Sequence, residues 1–233
     1  MALGGVVVTL DALGTLVALE PPAPLLTAEL RARGVDADER QAVTAIAAEI
    51  RYYRAHHDTA ADAASLARLR ARCTEVLREH LERAGAAVGA LAPGELQEAL
   101  LASLRFVPYD EVPGALRALR HAGHRLVVVS NWDVSLHEML RATGLRALVD
   151  GAVSSAEAGV AKPGAGIFER ALALAGGCAR GALHAGDSLE HDVAGARAAG
   201  LRPVLVAREA PPPAVPAGVS VIRSLAELAD LAA

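Results

Sequence analysis

The stretch VVVTLDALGTL, Val6 to Leu16, most narrows the folds open to this chain. A short apolar run rich in β-branched residues reads as a buried parallel strand, and its polar end delivers Asp11 into a turn containing Gly14 and Thr15. The same design recurs in VVVSN at Val127–Asn131 and in LHAGDS at Leu183–Ser188. One Asp after an apolar run is ordinarily a cap or turn former. In an open α/β sheet, however, ligands bind beyond the carboxyl ends of the strands, so three polar strand ends together make a pocket.

Between and after these runs the periodicity becomes helical. Leu25–Arg33 reads as a helix stopped at Gly34, followed by one capped by Asp38 or Asp36 and running through Ile50 to about His57. A third begins near Ala63 and carries Leu66, Leu69, Cys73, Val76, Leu77 and Leu81 on one face; a fourth is entered through Pro93 and Gly94. With no strand pattern inside it, this block is too long for an ordinary crossover. We therefore expect an α/β fold with a Rossmann-like parallel-sheet core, residues 1–16 and 105–233, and an inserted all-helical cap, residues 17–104. In the second half, strands at Arg125–Ser130, Val149–Val153, Ala182–Ala185 and Pro203–Ala207, with a weaker one at Val219–Ile222, alternate with helices, which implies right-handed crossovers. The proline-rich run Pro211–Gly218 reads as a stiff loop.

Composition limits the partners. Of 233 residues 53% are hydrophobic and only 3% aromatic, so Ala, Leu and Val must fill the core. A net charge of −4 argues against a nucleic-acid surface and leaves room for a small anion in a local positive field. Lysine occurs once, at Lys162, in a chain otherwise reliant on arginine. Cys73 and Cys178 have no metal-ligand spacing and read as small hydrophobes in a reducing compartment. The apolar N-terminal stretch lacks a basic leader and is interrupted by Asp11, which argues against a signal peptide or a membrane span. The expectation is a soluble cytoplasmic protein, monomer or homodimer.

Four polar clusters carry the candidate chemistry: Asp11 with Gly14 and Thr15; Ser130 with Asn131; Lys162 before Pro163; and Gly186, Asp187, Ser188 and Asp192. Their logic is that of a small anion site beside a metal. Asp11 and Asp187 would share a divalent cation that keeps both ionised, while Lys162 and Ser130 hold the oxygens of an anionic substrate. A carboxylate so placed can attack phosphorus or carbon and form a covalent intermediate. In the helical block, Arg51, Tyr52, Tyr53, His56 and His57 cluster at a helix end, and Arg51 or Arg54 could meet an anion; the alternative is cap packing and a helix terminus. Trp132 could wall the pocket or pack, and Asp133 could cap the next helix. His184 and His191 read as lying behind the site or on the surface.

These motifs resemble those of the haloacid dehalogenase-like hydrolase superfamily across essentially the whole chain. The family's hhhhDxDxT is similar to VVVTLDALGT, its second-motif Ser or Thr to Ser130, its third-motif Lys to Lys162 in AKPGAGIF, and GDSxxxD to Gly186–Asp192. The helical insertion resembles the family's C1 cap. The resemblance implies Asp11, Ser130 and Lys162 as catalytic residues. It implies a substrate site of Thr15, Ser130, Asn131 and Lys162, to which the cap reading adds Arg51. It also implies Mg2+ held by Asp11, the Leu13 backbone carbonyl, Asp187 and Asp192, the last directly or through water.

One position departs from the pattern. Family phosphatases carry a second Asp two residues after the nucleophile as general acid, and here that residue is Leu13, which cannot transfer a proton. Its carbonyl can still ligate a metal. General acid–base help is worth about 10²–10⁴-fold, so its loss burdens poor leaving groups most. Two-haloacid dehalogenases are similar in lacking this acid, but have lost the Asp that matches Asp187. Phosphonoacetaldehyde hydrolases need a cap lysine that this chain lacks. The closest pattern is that of haloacid dehalogenase-like hydrolase domain-containing proteins with a non-acidic residue here and an intact fourth motif. The leading expectation is a magnesium-dependent hydrolase of a small phosphorylated metabolite through an aspartyl-phosphate, with weak turnover. A dehalogenase and a non-catalytic anion-binding protein are the alternatives.

Overall fold

The computed structural model describes residues 5–209 and 214–232; Pro211–Pro213 of the proline-rich run lie outside them. The chain divides into two compact units, Met1–Ala18 with Pro108–Ala233, and Leu19–Val107. The first strand, β1 (Val7–Leu10), is buried along its whole length, as a β-branched run in the middle of a parallel sheet must be. Next comes β2 (Val17–Leu19).

The second unit is built from α1 (Pro22–Ala32), α2 (Glu39–His56), α3 (Ala63–Arg83) and α4 (Pro93–Ser103). Its own core gathers Leu26, Leu30, Ile46, Leu69, Leu77, Leu81, Leu96 and Leu100. Each leucine there contributes roughly 1.5–3 kcal/mol by leaving water. Reciprocal capping boxes start the two long helices: Asp38 with Gln41 for α2, and Asp62 with Ser65 for α3. The chain leaves this unit through β3 (Phe106–Pro108), which pairs with β2.

The segment 17–104 is therefore not free of strands. A segment of three residues is too short to show alternation, and its ladder partner lies far along the chain, so sequence pattern reads through it.

The first unit resumes with α5 (Val112–His121), β4 (Arg125–Ser130), α6 (Leu136–Ala142), β5 (Gly151–Ser154), α7 (Ser155–Ala158), α8 (Ala165–Leu174) and β6 (Leu183–Gly186). It closes with α9 (Ala194–Ala198), β7 (Arg202–Val206), β8 (Ser220–Ile222) and α10 (Leu228–Ala232). Six parallel strands lie in the order β5-β4-β1-β6-β7-β8. Phe168, Ile167 and Leu172 of α8 pack on Val127 and Val129 of β4 to cover one face. Leu10 stands opposite both Val128 and Ala185, so β1, β4 and β6 end side by side. Among the described residues no helix is long and apolar enough to cross a membrane.

Candidate active site

Three adjacent strand ends supply the site. Asp11 follows β1, and its N–H donates to the Ala185 carbonyl of β6 at 2.9 Å, which fixes where the side chain leaves the sheet. Ser130, the last residue of β4, donates its hydroxyl to Asp11 Oδ1 at 3.0 Å. Lys162 Nζ, almost completely buried, reaches Asp11 Oδ1 at 2.5 Å and Asp192 Oδ1 at 2.6 Å. Both of these donors, the Ser130 hydroxyl and the Lys162 ammonium, meet Asp11 on the same oxygen, Oδ1.

Asp192 is brought in by a backbone device that spacing does not reveal. The helical segment after β6 opens as a π turn over Leu189–Val193, in which the Val193 N–H reaches back to the Ser188 carbonyl. That winding carries the Asp192 carboxylate to the Ser188 N–H, which donates to Oδ2 at 2.9 Å. Gly186 is needed beside it, because a Cβ there would collide with the Asp192 carboxylate. His184 lies behind, its Nε2 3.0 Å from Asp192 Oδ1, its Nδ1 2.9 Å from the Thr9 hydroxyl, and its ring edge-on to Phe168.

Asp187 differs from its neighbours in being exposed. It faces the turn after Asp11, where Gly14 takes φ +82°, and a Cβ at Gly14 would strike the Asp187 carboxylate. Glycine thus serves twice here, for its backbone and for its missing side chain.

The electrostatics are unbalanced in one direction. Burial first, then repulsion from Asp192 and Asp187, pushes Asp11 up to about 6, against the pull of Lys162. Partial desolvation by the surrounding protein also raises Asp187, exposed as it is, and Asp192 adds to it. For Asp192 the burial effect is overcome by Lys162 and His184, which hold it well below the carboxylate range. Burial would lower Lys162, yet Asp11 and Asp192 raise it instead. Carboxylate oxygens of Asp11, Asp187 and Asp192 lie within 4.8 Å of one another, an all-oxygen set that suits a hard divalent cation. Three carboxylates against one contacting ammonium leave the negative charge that such a cation would balance.

Other expected contacts fall differently. Asn131 accepts from the Lys162 backbone N–H at 2.7 Å and donates to its carbonyl at 3.0 Å, so it anchors the lysine loop. Thr15 is fully buried, and its hydroxyl has no hydrogen-bond partner among the described residues. The Leu13 side chain stands at the rim, 36% exposed. Trp132 is buried, and Asp133 accepts from the Ser135 N–H at 2.6 Å at the start of α6. Arg51 is exposed on α2 in the helical unit, where Tyr52 stacks on His56 and His57 pairs with Asp58.

Arg208 escapes a reading based on motifs. It donates to the carbonyls of the Asp11 turn from just beyond β7. The signal was present, since it is the first polar residue after a strand, as Asp11 is.

The chain is 41% identical over 104 residues to haloacid dehalogenase-like hydrolase domain-containing protein 3 of Xenopus laevis, covering 43% of each chain. It is 36% identical over 135 residues to a phosphoserine phosphatase of Thermus thermophilus, covering 57% of this chain and 53% of that one. The chain thus spans about half the length of the curated relatives it matches. A crystal structure of a HAD phosphatase from Thermococcus onnurineus shares the fold, with a TM-score of 0.64 at 22% identity over 97% of this chain and 96% of that one. The family model for haloacid dehalogenase-like hydrolase matches residues 7–200, which take in Asp11, Ser130, Lys162, Asp187 and Asp192, and the chain belongs to that family.

Proposed function

We propose that this protein is a magnesium-dependent phosphatase of small phosphate monoesters, cytoplasmic, working as a monomer or homodimer, with segment 17–104 as its cap. The observation that carries the reading is the convergence of the Asp11, Asp187 and Asp192 carboxylates with a single contacting ammonium, Lys162. The likeness to a phosphoserine phosphatase supports phosphate as the group transferred.

Asp11, Asp187 and the Leu13 carbonyl, with Asp192 directly or through water, would hold the ion. When bound it neutralises charge on the phosphoryl oxygens. Lys162 and Ser130 both engage Asp11 Oδ1 and so turn Oδ2 toward phosphorus. Asp11 Oδ2 attacks, the bond from phosphorus to the leaving oxygen breaks, and an aspartyl-phosphate remains. The leaving oxygen takes its proton from water, because Leu13 has none to give. Water then hydrolyses the acyl phosphate, releasing inorganic phosphate and restoring Asp11.

A panel of aryl and alkyl phosphates assayed with Mg2+ tests this. The expected result is hydrolysis that favours the aryl esters, stops with chelator, and falls by at least about 10³-fold in Asp11→Asn. Halide release from a 2-haloacid without Mg2+ would establish the dehalogenase alternative instead. An inert panel, unchanged by Asp11→Asn, would leave a binding protein.

A further inference from the structure

We propose that Arg208 is a positioning residue for the cation site: its guanidinium holds the Leu13–Thr15 backbone in the shape that turns the Leu13 carbonyl toward the ion shared by Asp11 and Asp187. This rests on the magnesium reading above and extends it to a residue outside the four motifs.

The geometry is that of a brace. Arg208 Nε donates to the Gly14 carbonyl at 3.1 Å and Nη2 to the Thr15 carbonyl at 2.6 Å, so one rigid fork spans two consecutive peptide groups. Nη1 donates to Glu111 Oε1 at 2.7 Å, and the face of the guanidinium lies 3.5 Å from the centre of the Tyr109 ring. The Tyr109 N–H in turn donates to the Leu16 carbonyl at 3.2 Å, closing a ring of contacts around the turn. With these hydrogen bonds made and one face covered, Arg208 is built to hold the turn rather than to bind substrate. Only arginine has donors spread in a plane at this spacing; a lysine would bring the charge without the fork.

Charge argues the same way. A bare cation near a divalent ion opposes its binding by Coulomb repulsion. Here Glu111 contacts the guanidinium and cancels much of its charge. Burial would raise that carboxyl, but the hydrogen bond from Arg208 contributes to holding it below its usual range. The pair keeps the geometry of an arginine while muting its field. Gly14, in the left-handed region beside Asp187, has no side chain to stiffen the turn; the Gly14 N–H donates to the Val17 carbonyl and the Leu16 and Val17 N–H groups to the Ala12 carbonyl, and Arg208 adds a second set of bonds on the Gly14 and Thr15 carbonyls.

Two roles for Arg208 give opposite signs, which makes the test sharp. If it acted through charge alone, Arg208→Ala would tighten cation binding. If it positions the turn, Arg208→Ala and the charge-preserving Arg208→Lys both weaken it, by about 10–100-fold as is usual for groups that orient metal ligands. Mn2+ affinity measured by electron paramagnetic resonance, with Mg2+ calorimetry, reads this without turnover. Glu111→Gln, a milder change that leaves the fork on the turn, shifts the affinity the same way by a smaller factor. With p-nitrophenyl phosphate, the Mg2+ concentration for half-activation rises in these variants and kcat returns at saturating Mg2+. Unchanged or tighter Mn2+ binding in Arg208→Lys, with Asp187→Asn still abolishing it, overturns the brace and leaves the phosphatase reading intact. Mn2+ binding that is absent in the wild type, or indifferent to Asp187→Asn, takes down both.

Discussion

Asp11 and Glu49 are both buried carboxylates, one in each unit, and they have been treated in opposite ways. Glu49 sits on α2 at 3% exposure, and burial raises its pKa, eased only by a hydrogen bond with the Cys73 thiol. Asp11, at 6% exposure, is also raised by burial, but it meets an ammonium and a hydroxyl on one oxygen and two further carboxylates nearby. Burial by itself moves a carboxyl toward its neutral form. Where the fold aims cationic and hydroxyl donors at it, the charged form of the carboxylate is supported; where it does not, the group is packing with a polar tip.

The comparison breaks most sharply at Lys162. Replacing it with Met makes Asp11 resemble Glu49, a buried acid without a cation, and should cost about 3–5 kcal/mol in urea denaturation, since removing one partner strands the other. Asp192 keeps the Ser188 N–H and His184, so the loss falls on Asp11. Next in size is Leu13→Asp, which adds a proton donor two residues from Asp11, the nucleophile we propose, at a position already 36% exposed. We expect kcat/KM for alkyl phosphates to rise about 10²-fold, near the lower end of general acid–base help, and less for aryl phosphates. An equal change on both classes would show that leaving-group protonation is not what Leu13 removed. Smallest is Glu49→Gln. The folded pKa of Glu49 lies above its ordinary 4.5, so its ionisation costs stability as pH rises through that folded value. The variant should therefore melt higher than wild type at neutral pH, with the gain vanishing below 4.5, where Glu49 is protonated in both states.

Much of the core is legible from the chain alone because its signals are local. Apolar runs ending in Asp11, Ser130 and Asp187 are read directly, and parallel pairing then brings the ends together. Asp38 announces α2 by a cap within a few residues, and α3 is announced by its apolar spacing, the Asp62 capping box being found only in the structure. What escapes is non-local or too short. β2 and β3 exist through pairing with each other across the whole helical segment. The π turn that delivers Asp192 depends on backbone winding, and Asn131 could as well have faced a substrate as the Lys162 backbone. Arg208 reaches carbonyls almost the full chain length away, a partnership that residue type alone cannot disclose.

The solitary lysine has a practical side. The chain contains one side-chain amine, and it is sealed 4% exposed between two carboxylates that keep it protonated. Acylating and carbamylating reagents aimed at lysine therefore find no side-chain target while the sheet end is closed. Modification at Lys162 would act as a reporter of local opening around Asp11 and Asp192.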